Sequence, residues 1–441
     1  MSTQTAIGSD EANELFAPLA RFANIVVAVS GGPDSLALLT LLAEWRAGSG
    51  RGAPAISAAT VDHGLRATSS QEAEFVARYA ASLGLVHRTL PWSGNKPTTG
   101  IPQAARTARY ELLEAHAGAL PGPGLTAIAT AHTRDDQAET FVMRLSRGAG
   151  VDGLAAMRAE RPISAGSLIA LMRPLLSIPK SRLIATLHKR GVAFVIDPTN
   201  ADHAFERVRA RALLQTLEDA GIRRQALATS ARRMGEARTA LDYATQQFEA
   251  GLALSLNDDI FCQFERAAFI KGPAALRYRV LGRLLDRFGG ASKPAQLSQI
   301  EDMANLLGRT PAMRATLGGA VVSAGTRFVR IWRERGRIGT VNLTLLPGSG
   351  ALWDQRFWVA LSDDAPGAVD IRPLGAAGAK TIKGQKCGLD SPARAVEALP
   401  SFWAADTLLA VPSLNGRGYL PNGFETAIFS AIPARHVANG C

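Results

Sequence analysis

The chain has little cysteine. Cys262, Cys387 and Cys441 are far apart in its 441 residues and none falls in the first half, so there is neither a disulfide framework nor a paired thiolate knuckle. Long apolar runs are also missing: no stretch reaches the roughly 18–20 uninterrupted apolar residues that cross a bilayer. Residues 1–12 are polar and acidic, without the basic start and apolar run of a secretory leader. A cytoplasmic chain with no membrane association is expected. Neither internal repeats nor low-complexity tracts occur. Acidic residues are outnumbered, 38 Asp plus Glu against 49 Lys plus Arg, for a net charge of +11. That excess favours a polyanionic partner, because Lys and Arg displace counterions from a phosphate backbone. An arginine-preferring genome would give the same excess, and charge alone does not choose RNA over DNA.

What is present suffices for a sizeable core: 47% of the residues are hydrophobic, and the length suggests two or three domains of about 150 residues each. From 24 to about 200, short β-branched runs alternate with amphipathic stretches. Strands are predicted at 25–29, 56–61, 86–90, 126–131, 169–172 and 193–196, with helices at 35–45, 70–83, 102–117, 136–146 and 181–189 between them. This alternation predicts an α/β domain, a doubly wound parallel sheet over 1–214. The next tract, 205–251, is helical and rich in arginine (Arg207, Arg209, Arg211, Arg223, Arg224, Arg232, Arg233, Arg238), and helices follow at 265–288 and 294–307. Residues 316–332 alternate like a hairpin with Gly325 near its turn, so 215–334 is expected to be a helical domain with a terminal hairpin. Beyond the joint Leu346-Pro347-Gly348-Ser349-Gly350, strand-like surroundings of Trp353, Phe357 and Trp358 predict a small C-terminal α+β domain over 340–441.

The most informative motif is Ser30-Gly31-Gly32-Pro33-Asp34-Ser35, directly after the first strand and before a helix carrying Leu36, Leu38, Leu39 and Leu42. Two glycines let the backbone turn sharply and present N–H groups, and the helix start adds its positive dipole end. Such a turn holds an anion. It is not the G-x-x-x-x-G-K-[ST] loop, because no Lys follows the glycines. A turn that binds nothing would tolerate many residues where Asp34 and both serines stand. The string is similar to the S-G-G-x-D-S signature of PP-loop ATP pyrophosphatases, which split ATP between its α and β phosphates and leave AMP on a substrate oxygen. A carboxylate beside pyrophosphate calls for a cation, so Asp34 is expected to hold Mg²⁺; capping the helix is an alternative that could coexist.

Two further motifs stand at strand C-terminal ends, where open α/β sheets gather ligands: Val61-Asp62-His63-Gly64-Leu65-Arg66 and 130–140, which contains His132-Thr133-Arg134-Asp135-Asp136 and Glu139. With Arg147-Gly148-Ala149-Gly150-Val151-Asp152-Gly153-Leu154, Asp197-Pro198-Thr199-Asn200 and Thr316-Leu317-Gly318-Gly319, the chain resembles the tRNA(Ile)-lysidine synthases over nearly its whole length. The resemblance implies a two-step reaction on the wobble cytidine of the CAU-anticodon isoleucine tRNA. ATP adenylates the oxygen on carbon 2, and the ε-amine of free L-lysine then displaces AMP.

The residues suit that chemistry. An amine that is protonated near neutral pH must lose a proton to attack. His132 and Asp136, four apart on the opening turn of a helix, can face one pocket. Asp136 is the first choice for acting on the amine, with Asp135 or Glu139 neutralising its charge; whether His132 is a base or an orienting partner stays open. Thr133 stands where the family often has His, and Val208 where it often has Asn. Arg207 resembles the family arginine that meets phosphate or the activated base. Arg106 and Arg109 lie on one helix face within reach of phosphate or the lysine carboxylate. Ser30, Gly31, Gly32, Pro33, Asp34 and Ser35 are expected to bind ATP, with Asp62 and His63 bordering the adenosine or the entering tRNA. Arg209, Arg211, Arg232, Arg233, Lys383 and Lys386 are assigned to the tRNA backbone, although a solvated helix face would look the same.

Three rivals are weaker. A PP-loop thiolase with cysteine chemistry would carry paired cysteines as persulfide carriers or cluster ligands. An amidotransferase synthetase would need a glutaminase, and a non-catalytic binding module has no use for Asp34, His132 and Asp136 together. No obligate protein partner is expected, and a homodimer remains open.

Overall fold

The computed structural model describes residues 5–50, 52–64, 69–94, 96–164, 167–195, 206–291, 294–339, 343–383, 392–412 and 429–433. They belong to two compact units, Met1–Thr239 and Ala240–Cys441. In the first, the chain runs α1 (Ser9–Phe16), β1 (Asn24–Ala28), α2 (Pro33–Gly48), β2 (Ala55–Asp62), α3 (Ser69–Ser82), β3 (Val86–Pro91), α4 (Ile101–Gly118) and β4 (Thr126–Ala129). It continues through α5 (Arg134–Leu145), α6 (Val151–Leu154), β5 (Glu160–Pro162), β6 (Ala170–Met172), α7 (Lys180–Lys189), α8 (Glu206–Asp219) and α9 (Arg224–Ala250).

The strands form one sheet in the order β3-β2-β1-β4-β6-β5, parallel except for β5 at the edge. Strand β1 alternates: Ile25 and Val27 enter the core that α1, α2 and α7 cover, while Val26 enters the opposite core with Leu113 and Ala117 of α4. Helix α2 carries apolar residues on every side, and Leu36, Leu38, Leu39, Leu41 and Leu42 are all fully buried, as a helix enclosed by neighbours requires. Each such leucine contributes roughly 1.5–3 kcal/mol relative to an exposed one. The chain leaves β1 towards β2 and β3 on one side and returns to β4 on the other, so the C-terminal ends of β1 and β4 flank a topological switch point.

The strand expected at 193–196 does not form over its described residues, 193–195. Instead, the Val195 N–H donates to the Gly31 carbonyl at 3.1 Å, so this segment braces the glycine turn rather than extending the sheet. Strand β5, antiparallel and three residues long, has too little alternation to be read from sequence. The Asp197-Pro198-Thr199-Asn200 turn lies outside the described residues.

The second unit begins with the later turns of α9, then β7 (Phe261–Glu265), α10 (Arg266–Lys271), α11 (Ala274–Gly289), α12 (Leu297–Arg309), β8 (Met313–Leu317), β9 (Ala320–Ala324) and β10 (Phe328–Arg333). The helix expected at 265–288 is broken at Gly272-Pro273, and Glu265 ends a strand. Residues 316–332 make two turns rather than one, at Gly318-Gly319 and at Gly325, and β7 pairs on the far side of β10 to give the order β7-β10-β9-β8. The remainder is α+β: β11 (Leu343–Leu345), β12 (Gly350–Trp353), β13 (Phe357–Leu361), β14 (Val369–Pro373), α13 (Gly375–Lys383), α14 (Ala393–Val396), β15 (Pro400–Ala404), β16 (Thr407–Ala410) and β17 (Phe429–Pro433). These strands form the sheets β11-β14-β15-β16 and β12-β13-β17. Trp353 and Phe357 are buried there, in a core that also takes in Phe261 and Trp332. Among the described residues no helix is long and apolar enough to cross a membrane.

Candidate active site

The turn between β1 and α2 is built as its residue types require. Gly31 has φ of +81°, a left-handed conformation that other residues rarely adopt, while the space around it would admit a side chain. Gly32 is extended and Pro33 occupies the first helical turn, where its missing N–H costs nothing. The buried Ser35 hydroxyl donates to the Gly32 carbonyl (2.9 Å) and accepts from the Ser30 N–H (3.1 Å). Ser30 Oγ lies 3.3 Å from the same hydroxyl. Ser35 therefore braces the turn from within, and the N-terminal end of α2 faces outward.

Asp34, in that first helical turn, accepts at Oδ2 from Lys180 Nζ at 2.9 Å. Its Oδ1 is buried with no hydrogen-bond partner. Burial pushes the Asp34 carboxyl above the usual range, Lys180 pulls it back, and Asp136 and Asp135 push it up further. The Lys180 backbone N–H, at the start of α7, donates to Asp135 Oδ2 at 2.8 Å, and Arg224 lies 3.6 Å from Asp135 Oδ1. Lys180 thus ties α2 to α5.

After β4, Thr130 Oγ1 pairs with His132 Nδ1 at 2.9 Å. Burial drives the His132 pKa down to about 3; Asp136 opposes that shift, and Arg173, Arg207 and Arg106 add to it. The imidazole is therefore neutral. Thr133 caps α5: its hydroxyl accepts from the Asp136 N–H at 3.4 Å, and Asp136 Oδ2 accepts from the Thr133 N–H (2.8 Å) and hydroxyl (2.9 Å). One Asp136 oxygen is committed to that cap, and the other, Oδ1, faces Arg207 at 3.9 Å. Glu139 is buried one turn on, with Oε1 2.6 Å from Arg211 Nε and Oε2 without a partner; burial raises its pKa and Arg211 counters.

The sequence places Asp62 and His63 at the end of β2, and both are there. Hydrogen bonds from Ser69 and from the Gly64 N–H (2.8 Å) hold the Asp62 carboxyl below its usual range. His63 packs edge-on to Trp92, and its Nε2 lies 3.4 Å from an Arg109 nitrogen. Arg109 is exposed.

Of the expected residues, Asp34, His132, Asp136, Glu139, Arg207 and Arg211 are linked through these pairs and mutual fields around the ends of β1 and β4. Arg211, assigned from sequence to the tRNA backbone, turns inward to Glu139. Arg209, Arg232 and Arg233 are exposed, and Arg232 is ion-paired to Glu236 one turn along α9. Lys386 and the Lys383 side chain lie outside what the structure describes.

Sequence reasoning missed Lys180 and Arg173. Arg173, just past β6, is buried, donates to the Arg158 carbonyl at 2.8 Å and leaves Nε unpaired. A signal existed for Lys180: a lysine opening a helix opposes the helix dipole and needs a reason to be there. Among the described residues no group of three or more His, Cys, Asp and Glu could hold a metal ion. The unpaired Asp34 Oδ1 remains the oxygen that a phosphate-bound cation could take.

Residues 5–217 match the model of a PP-loop domain. The chain is 45% identical over 344 residues to a tRNA(Ile)-lysidine synthase from Bradyrhizobium sp. (strain BTAi1), covering 74% of this chain and 94% of that protein. It is 39% identical over 386 residues to one from Ruegeria pomeroyi, covering 88% and 87%. Among solved structures, a U34-tRNA thiolase from Methanococcus maripaludis is similar at a TM-score of 0.40 and 16% identity, over 54% of this chain and 89% of that one. That likeness is slight.

Proposed function

The chain belongs to the tRNA(Ile)-lysidine synthase family, and from that premise we propose how its residues carry out the reaction. It is an ATP-using ligase that forms a carbon–nitrogen bond on tRNA(Ile). The substrates in our reading are ATP, free L-lysine and the isoleucine tRNA with a CAU anticodon. The triphosphate lies against the Gly31-Gly32 turn and the start of α2. Asp34, through its unpaired Oδ1, would hold Mg²⁺, which would supply positive charge against the phosphates.

In the first step the cytidine oxygen on carbon 2 bonds to the α-phosphorus, and the bond to the β-phosphate oxygen breaks, releasing pyrophosphate. Arg207 stabilises the developing negative charge. In the second step the lysine ε-nitrogen bonds to carbon 2, and AMP departs with the former carbonyl oxygen. Asp136 Oδ1, the carboxylate oxygen left free by the helix cap, draws the ammonium in and takes its proton. His132, kept neutral by burial and held at Nδ1 by Thr130, serves as an orienting partner. Glu139 adds negative charge for the amine, and Arg109 receives the lysine carboxylate. Asp62 and His63 border the adenosine. Arg209, Arg232, Arg233, Lys383 and Lys386 supply backbone contacts to tRNA, drawing on the helical region 215–334 and the C-terminal region 340–441.

The observation that carries this reading is that Lys180 holds Asp34, on the phosphate turn, at 2.9 Å through its ammonium and Asp135, the neighbour of Asp136, at 2.8 Å through its backbone N–H, which joins the two halves of the site at the switch point. The test is purified protein with ATP, Mg²⁺, labelled lysine and the CAU-anticodon tRNA. Label should enter the tRNA with release of AMP and pyrophosphate; sulfur transfer in place of lysine transfer would reverse the reading.

A further inference from the structure

Asp34 has a place in the reaction above, but the lysine that holds it does not. The Lys180 backbone N–H is fixed on Asp135 Oδ2 at 2.8 Å, so the start of α7 is anchored whatever side chain stands there. From that anchor the ammonium reaches Asp34 Oδ2 at 2.9 Å, with 44% of the side chain exposed at the mouth of the phosphate turn. The other oxygen of Asp34 is buried and unpaired. Resting on the ATP reading above, we propose that Lys180 is a resident counter-cation: in the nucleotide-free site it holds one oxygen of Asp34, and when metal and ATP enter it yields that oxygen and moves its ammonium onto the β- or γ-phosphate.

Charge and geometry support the exchange. Lys180 offsets the charge of Asp34, as Arg224 and Arg207 stand against those of the neighbouring Asp135 and Asp136. A divalent cation arriving at Oδ1 would stand close to the ammonium on Oδ2, and two cations on one carboxylate repel. A triphosphate carries more negative charge than one divalent cation neutralises, so the loaded pocket offers the ammonium a stronger partner than Asp34. The flexible four-carbon stem with its rotatable donors suits such a move.

The proposal predicts opposite changes in two binding constants. In Lys180→Met, Mn²⁺ alone, titrated without nucleotide and followed by electron paramagnetic resonance, should bind more tightly, because its competitor is gone. Metal–ATP, titrated calorimetrically, should bind more weakly, by the roughly tenfold or more that loss of a charge-assisted hydrogen bond produces. Lys180→Arg, which keeps the charge, should return both constants towards wild type, and Lys180→Gln serves if the Met variant does not fold. A merely structural lysine would weaken both constants together. That outcome, or no change in either, overturns the proposal. Neither titration contains tRNA or lysine, so its failure is distinct from failure of the transfer reaction, and wild-type protein that binds no ATP would sink the reading above first.

Discussion

Arg211 Nε lies 2.6 Å from Glu139 Oε1, while the other oxygen of that buried carboxylate has no hydrogen-bond partner. A buried, half-satisfied acid one turn from Asp136 is suited to receive a cation. Glu139→Gln should therefore raise the KM for lysine far more than the KM for ATP in steady-state transfer assays. It also removes the charge that Arg211 pairs with while leaving an amide oxygen to accept from it, and because that arginine is partly exposed the stability cost in urea unfolding should be modest, about 1 kcal/mol. An unchanged KM for lysine would restrict Glu139 to positioning Arg211.

The half-buried His132 makes stability depend on pH. Its folded pKa of about 3 lies below the ordinary 6.5, so the folded state keeps the imidazole neutral. The stabilisation is fully present above 6.5. As pH falls from 6.5 towards 3, the unfolded chain binds a proton that the folded chain refuses, and stability is lost. His132→Asn should remove that part of the slope in denaturant unfolding followed across this range. A wild-type His132 resonance that titrates near 6.5 would contradict the burial assigned to it.

Thr133 and Asp136 share one cap but not one role. Thr133→Ala should destabilise the protein by about 1 kcal/mol through loss of the N-cap, while lysine transfer persists. Asp136→Asn should stop transfer, with the fold intact by circular dichroism. If both variants lost transfer equally, Asp136 would be a capping residue alone.

How much of this was legible in the sequence depends on how local the determinant is. The glycine turn, the strands beside it and the 130–140 motif follow from chain-local rules, and each stands where expected within a residue or two. Strand β5 was not legible, because three residues paired antiparallel at an edge leave no periodic trace. Val195 looked like a strand residue by its β-branched neighbours, yet its N–H serves Gly31, a choice made by the tertiary structure. The acid pair Asp34 and Asp136 was legible by motif. Lys180, 146 positions from Asp34, was not, because nothing local specifies which lysine closes on a distant carboxylate. Arg211 read as one of many basic helix residues, and only packing α8 on α5 turns it towards Glu139.

The exposed arginines of α9 bear on affinity rather than chemistry. Arg232→Ala with Arg233→Ala should weaken tRNA binding and lower the slope of log K against log salt by about 0.7–0.9 for each phosphate that is no longer neutralised. Turnover at saturating tRNA should hold. Filter binding at several salt concentrations measures the slope, and an unchanged slope would mean that these residues face solvent in the complex.

The most direct test uses ATP labelled at the α-phosphate, incubated with the enzyme, Mg²⁺ and CAU-anticodon isoleucine tRNA but no lysine. Label should accumulate on the tRNA as an adenylate and leave as AMP when lysine is added, and Asp34→Ala should form no adduct. Release of ADP, or lysine entering the tRNA while Asp34→Ala turns over like wild type, would contradict the account.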